Sequence, residues 1–322
     1  MTSIIGNTAA QDAFAAALAG DTLHHAWLLA GPKGVGKGSF ARQAAARLVG
    51  GGAQRDDLIA ARAHPDYRLV EREQWETGKK DVLTPYDERK EGEAPARSIR
   101  VVQIRWLRQA LTVRPSMGER RAVIIDAADD LEPGGANALL KSLEEPPPGT
   151  VFLLVSHAPG RLLPTIRSRC RLLRFGLLDE ADMSSALRSA DPSLDPDEVA
   201  ALVEAGEGAP GRALRFAGLD VKGLDAAIAA IAADGDPDNA RRSALARALA
   251  GKAAQPRYEA FLDRAPSFIA RAARRRSGPA LAQTLDAHTK ARDMAGAAVG
   301  LSLDQQATVW EMSGILAGLP RP

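Results

Sequence analysis

The stretch Trp27–Leu48, WLLAGPKGVGKGSFARQAAARL, leaves this chain few folds to choose from. Ala26–Ala30 is an apolar run stopped at once by Gly31 and Pro32, which reads as a short buried strand. The segment after Lys37 reads as a helix. Between them, Gly31-Pro-Lys-Gly34-Val-Gly36-Lys37 has the G-x-x-x-x-G-K spacing of a phosphate-binding loop, in the strand-to-helix setting such a loop needs. Glycine is required because consecutive backbone N–H groups must turn inward toward a polyphosphate, while the helix N-terminus adds its partial positive charge. Lys37 would sit against the outer phosphates. One position breaks the pattern: the residue after Lys37 should carry a hydroxyl to hold Mg²⁺, and it is Gly38, with Ser39 one place late. The loop can take phosphate and is expected to handle metal badly. A nucleotide is therefore the candidate ligand, and Mg²⁺ is expected only with it.

A second strand supports the same fold. Arg121-Ala-Val-Ile-Ile-Asp126 is a β-branched apolar run ending in a carboxylate about 90 residues after the loop, the arrangement that helps hold Mg²⁺ beside phosphates. In hydrolysing chains of this class a glutamate that polarises the attacking water comes next. Here that residue is Ala127, and Asp129 and Asp130 do not restore the register, so turnover of ATP by this chain is not expected. A third buried strand, Val151–Ser156, ends at Ser156 and His157, where a phosphate sensor would sit.

Bulk properties narrow the class. At 322 residues, two or three domains are expected, and 45% hydrophobic with 25% charged residues is ordinary for a globular chain. The net charge of +2 argues for no nucleic-acid role by itself, and a lone cysteine, Cys170, excludes an intramolecular disulfide and a multi-cysteine zinc site. No basic-then-apolar leader opens the sequence and no apolar run reaches membrane-spanning length, so a cytoplasmic location and no membrane partner are expected.

Thr8–Leu18 reads as an amphipathic helix, and His24-His25 at the strand entry read as turn or packing residues rather than ligands. Residues 53–98 are polar, charge-mixed and interrupted by glycine and proline, which suggests a surface excursion, with a strand at Tyr67–Val70. Ser98 or a neighbour is expected to cap a helix carrying Val101, Ile104 and Leu107 at helical spacing. Arg100, Arg105, Arg108 and Arg114 make that neighbourhood basic; a solvated face is the default reading, and contact with DNA or a partner stays open. Helical period returns in GGANALLKSLEE, stopped by Pro146-Pro147-Pro148, and Leu163–Cys170 precedes the strand Arg171–Phe175. Residues 177–218 have room for three short helices, one starting at Asp195-Pro196. Residues 219–322 are helical stretches with breaks expected at Gly235-Asp-Pro237, Pro256, Pro266, Gly278-Pro279 and Pro320. The cluster Arg271, Arg274, Arg275 and Arg276 reads as a basic helix end, with a nucleic-acid patch as the alternative.

GPKGVGKG, NALLKSLEEPP and TIRSRC, in this order, resemble the clamp-loader family of bacterial DNA polymerase III, most closely its delta-prime branch, because the loop hydroxyl and the water-polarising glutamate are both missing. The resemblance covers residues 4–176 strongly, 177–218 moderately, and the rest by length and helical character. It implies an α/β AAA+ P-loop core over 1–176 (a parallel sheet flanked by helices), a small helical lid over 177–218, and an all-α collar over 219–322 that joins other subunits. It also implies that Arg169, in Ser168-Arg169-Cys170, is an arginine finger acting in a neighbour's ATP site, and that Arg212 is a lid-domain sensor. Relatives often carry a four-cysteine zinc module after the loop helix. This chain lacks it, and no zinc is expected.

The implied partners are tau/gamma and delta subunits, with the sliding clamp and primer-template DNA reached through the complex. The implied role is a component of the polymerase holoenzyme with no ATPase activity of its own. Two other readings fit: an active tau/gamma-like ATPase, if Ser39 and Asp129 compensate for Gly38 and Ala127, or a stand-alone nucleotide- or DNA-binding regulator.

Overall fold

The computed structural model describes residues 4–20, 23–72, 98–301 and 303–321; most of the polar excursion anticipated after residue 53, namely 73–97, lies outside the described residues. Two compact units form, one from Met1–Leu194 with Gly206–Arg212, the other from Asp195–Ala205 with Ala213–Pro322.

The first unit is built on a parallel sheet. In chain order it contains α1 (Thr8–Ala19), β1 (Ala26–Ala30), α2 (Lys37–Val49), α3 (Ala53–Ala60), β2 (Tyr67–Glu71), α4 (Val101–Ala110), β3 (Arg121–Asp126), α5 (Pro133–Glu144), β4 (Thr150–Ser156), α6 (Pro164–Arg167), β5 (Arg171–Arg174) and α7 (Glu180–Ala190). The strand order is β2-β3-β4-β1-β5, with Ile125 opposite Leu154 and Leu28 opposite both Leu154 and Leu172. This is the α/β arrangement expected from the sequence, a parallel sheet flanked by helices with the glycine-rich loop between its first strand and the next helix. Helices cover both faces, which is why the strands read as unbroken apolar runs rather than alternating ones. Alternate side chains then serve alternate cores. Trp27, Leu29, Ala122, Ile124, Leu153 and Val155 pack with α1 and α2, whereas Leu28, Val123, Ile125, Phe152 and Leu154 pack with Ile104, Leu107, Leu139, Leu143 and Ile166. Phe14 is the hinge of the first core, lying edge-on to Trp27 and to Phe40 with centroids 5.2 and 5.6 Å away.

The loops beside the sheet are pinned by buried charge. Asp66, fully buried ahead of β2, accepts from the backbone N–H groups of Ser116 and Met117 and pairs with Arg121 at 3.3 Å. The same guanidinium donates to the carbonyls of Ala110, Val113 and Arg114. One ion pair thus fixes the whole α4–β3 connection. The cap of α4, expected at Ser98 or a neighbour, is made otherwise: Gln103 Oε1 accepts from Arg100 N (2.8 Å), Glu132, ahead of α5, accepts from Val101 N (3.2 Å), and Ser98 Oγ donates to that carboxylate. A carboxylate suits a helix N-terminus better than a hydroxyl does, and the fold brings one there from 31 residues away.

The second unit is helical: α8 (Pro196–Gly206) falls in it up to Ala205, followed by α10 (Val221–Asp234), α11 (Ala240–Ala248), α12 (Gln255–Ala273), α13 (Gly278–Leu301) and α14 (Gln305–Ala317). The short α9 (Pro210–Ala213) begins in the first unit. Within the second unit α12 packs on α13 and α11 on α14, around Ile228, Ile231, Phe261, Ile269, Val309 and Met312. Arg264 is buried there, donating to Ala205 O (2.8 Å) and gripping Asp225 with Nε at 2.8 Å and with Nη2. The break expected at Pro266 does not occur. α12 runs through it with Pro266 buried between Ala265 and Ile269, and that packing offsets the one helical hydrogen bond proline cannot donate. Pro256 sits in the first turn of α12, where a missing N–H costs nothing. Arg276 turns inward to Thr284 Oγ1 and Pro320 O, while Arg274 and Arg275 stay exposed at the helix end.

Candidate nucleotide site and exposed arginine

The loop after β1 keeps the turns its glycines were expected to make. Gly34 and Gly36 lie at φ +88° and +93°, and the chain then enters α2 at Lys37. Gly34 also meets the first unit's 206–212 segment: Gly211 N donates to Gly34 O at 2.8 Å, and a Cβ on Gly34 would stand 2.9 Å from the backbone nitrogen of Arg212. Lys37 is buried at 2% exposure, its Nζ donating to Gly31 O (2.7 Å) and Pro32 O (2.5 Å). Burial pushes its pKa down from 10.5 to about 8, against the opposing pull of Asp126 and Asp129.

At the C-terminal end of β3, burial pushes the Asp126 carboxyl above the usual carboxylate range, and Arg42 is the strongest force opposing that rise. Arg42 Nη2 lies 3.3 Å from Asp126 Oδ2 and 3.7 Å from Glu71 Oε2. This pairing settles the fit of a metal ion. A Cβ at Gly38 would stand 2.6 Å from Asp126 Oδ2 and 2.9 Å from Arg42 Nη1, so the carboxylate and guanidinium fill the space a serine or threonine would occupy. Mg²⁺ prefers several well-placed oxygens in octahedral array. Here it would find no hydroxyl and a carboxylate already neutralised, so the residues present do not fit it. They do fit a phosphate group, through the loop turns, the α2 N-terminus and Lys37.

The proposed repairs of an active ATPase are not in place. Ser39 is exposed, and Ala127 is buried and offers no base. Asp129 is committed elsewhere: its carboxylate accepts from Ser156 Oγ (2.8 Å), His157 N (2.5 Å) and Ala158 N (3.2 Å), tying the end of β3 to the end of β4. The His157 ring at that junction is pushed down to about 4, by burial first and by the Lys37 charge second, so it is neutral at pH 7. Among the described residues no cluster of three His, Cys, Asp or Glu could hold a metal ion, and no helix is long and apolar enough to cross a membrane.

Gly31, Gly34, Gly36, Lys37, Gly38 and Asp126 are therefore brought together, and Arg212 approaches the loop by its backbone while its guanidinium pairs with Glu207 at 2.7 Å. Arg169 stands apart, just beyond α6, with its side chain about one-third exposed and 2.8 Å from Glu144. Cys170 beside it is a partly buried thiol, and desolvation pushes it up to about 12. The sequence reading missed Arg42, Glu71 and Glu144. Arg42 had a usable signal, since it lies four residues after Gly38 and so shares its helical face.

A family model described as DNA polymerase III, delta subunit, matches residues 6–179, more than half of the chain. The chain belongs to that family. It is 36% identical over 222 residues to DNA polymerase III subunit delta' of Pseudomonas aeruginosa, a match covering 66% of this chain and 62% of that protein. It is 32% identical over 157 residues to DNA polymerase III subunit delta' of Escherichia coli, covering 49% and 41%. The tau/gamma subunit of Haemophilus influenzae is 32% identical over 184 residues, covering 57% of this chain and 25% of that one. The chain thus spans less than two-thirds of the length of each of these relatives.

Proposed function

We propose that this chain is a delta-prime-like subunit of a DNA polymerase III clamp loader, which holds neighbouring subunits and lends Arg169 to an adjacent ATP site while hydrolysing little ATP itself. The observation that carries this is the state of its own site: Asp126 fills the place of the side chain missing at Gly38 and is neutralised by Arg42, so the metal-dependent half of an ATPase is closed. The phosphate-binding half persists, with Gly31, Gly34, Gly36 and Lys37 able to take a nucleotide, and Arg212 able to swing from Glu207 toward it. Arginine suits the trans role because its charge persists at any working pH and its planar fork matches phosphate oxygens. The edge that carries it supports the reading as well. β5 is an edge strand of the sheet, and Leu172 on it and Leu163 ahead of α6 are both exposed, which gives that edge apolar surface a partner could cover.

In this reading residues 1–176 are the core, 177–218 the lid and 219–322 the collar that joins tau/gamma and delta subunits; the sliding clamp and primed DNA are met through the complex, in the cytoplasm. The test is reconstitution of the full chain with those subunits. Finger arginines are worth roughly 10³–10⁵ in rate at the site they serve. Arg169→Ala should leave assembly intact and depress the clamp- and DNA-stimulated ATPase and clamp loading, and Arg169→Lys should rescue poorly. Wild-type loading by Arg169→Ala at limiting ATP would reduce the chain to a passive scaffold, and steady turnover by the chain alone, lost in Lys37→Ala, would show it to be an ATPase.

A further inference from the structure

Arg169 does not hang free from the end of α6. Its Nη1 donates to Thr165 O at 3.0 Å and lies 3.5 Å from Ser168 Oγ, while its Nη2 is held 2.8 Å from Glu144 Oε1. Thr165 belongs to the same turn, but Glu144 is the last residue of α5. Fold stability does not account for that carboxylate. The two side chains are 35% and 45% exposed, a setting in which an ion pair contributes little. A helix C-terminus also carries negative partial charge, so it is an unfavourable place for a glutamate.

What the pair does fix is direction. Arginine is a long side chain with many rotamers, and an anion that meets it must order it. Held at Nη1 by Thr165 and Ser168 and at Nη2 by Glu144, the fork is ordered in advance, with Nε–H and the second N–H of Nη2 left to donate. α5 is also anchored: Leu139 and Leu143 are buried in the core beside Ile166 of α6, so carboxylate and guanidinium are set by elements packed in one cluster. A site held by rigid elements is more exact than one on a loop.

We propose that Glu144 is a positioning residue for the arginine finger, holding Arg169 aimed at the ATP of the neighbouring subunit before that subunit engages. This rests on the reading of Arg169 as a finger acting in trans. Positioning is worth rate rather than binding, because a group ordered in advance costs nothing to order in the transition state.

The experiment uses the complex reconstituted from the full chain with tau/gamma and delta subunits, sliding clamp and primed DNA, and reads steady-state ATP hydrolysis. Glu144→Ala should lower kcat at the site this chain faces about 5- to 10-fold with KM for ATP unchanged within about twofold. Glu144→Gln, which keeps an acceptor and loses the charge, should fall between. The melting temperature of the chain and its incorporation into the complex should not move. The double variant Glu144→Ala/Arg169→Ala should be no slower than Arg169→Ala alone, as expected when one residue acts only through the other. If Arg169→Ala slows the complex and Glu144→Ala leaves kcat unchanged or raises it, Glu144 is not a positioning residue. A further loss on the Arg169→Ala background would overturn the proposal too, since Glu144 would then act by another route. If Arg169→Ala itself has no effect, the finger reading fails first and takes the positioning role with it.

Discussion

Gly38 shows how one absent side chain redirects its neighbours. Without a Cβ there, Asp126 and Arg42 close on each other, and Lys37 is buried with its Nζ donating to the carbonyls of its own loop. A buried ammonium of this kind should be visible in the pH dependence of stability. Lys37 titrates near 8 when folded and near 10.5 when unfolded. Below pH 8 both states hold the proton and the full cost of burying the charge is present. Between these values the unfolded chain binds more protons, so stability rises with pH, by up to about 1.4 kcal/mol per unit for one group. Urea unfolding should therefore find Lys37→Met more stable than the native chain at pH 7.5, with the gap shrinking steadily toward pH 10.5. A gap that stays constant across that range would mean the lysine is not carrying its charge at this cost. The loop itself was legible in the sequence because its chemistry is local. Arg42 was not, because its partner Asp126 is 84 residues away and only the sheet brings them together.

Among the elements, strands buried on both faces were the plainest to read, since their apolar runs are bounded by Gly, Pro or charge. Ala26–Ala30 falls where the sequence placed it. α3 was missed because only Ile59 of its residues is buried, so it has no apolar period to detect. The α4–β3 connection was equally opaque, as nothing near Asp66 in the sequence announces a buried partner at Arg121. That pair carries a prediction at the scale of the elements it joins. Asp66→Asn leaves the Arg121 guanidinium in a buried site with its carbonyl partners but no counter-charge, and breaking a buried pair in this way costs about 3–5 kcal/mol. Chemical denaturation should show a loss of that size, together with faster amide exchange at Ser116 and Met117, whose N–H groups the carboxylate accepts. A loss below about 1 kcal/mol would instead place the pair with weak surface bridges.

At the scale of the whole molecule, the helix α8 is informative. Its sequence signals, Asp195 ahead of Pro196, mark where it starts and say nothing of which core it joins. It is counted in the second unit, and Arg264 of α12 supplies one physical tie: at 1% exposure it donates to Ala205 O at the end of α8 and to Asp225 of α10, beneath the ring of Phe216. Removing the guanidinium strands a buried carbonyl and a half-buried carboxylate at once, each lacking the donor it had, and losses of this kind run to about 3 kcal/mol or more. Arg264→Ala also deletes a large buried side chain, so the informative comparison is with Arg264→Met, which keeps most of the volume and none of the donors. Both variants should raise amide exchange in α8, α10 and α12, the methionine variant nearly as much as the alanine, while the amides of β1, β3 and β4 keep their native protection. Were Arg264→Met to exchange like the native chain, the residue would act by filling space. Were protection lost in the sheet to the same degree, the two units would unfold as one, and the hold of α12 on α8 would be a property of the whole chain rather than of its helical unit.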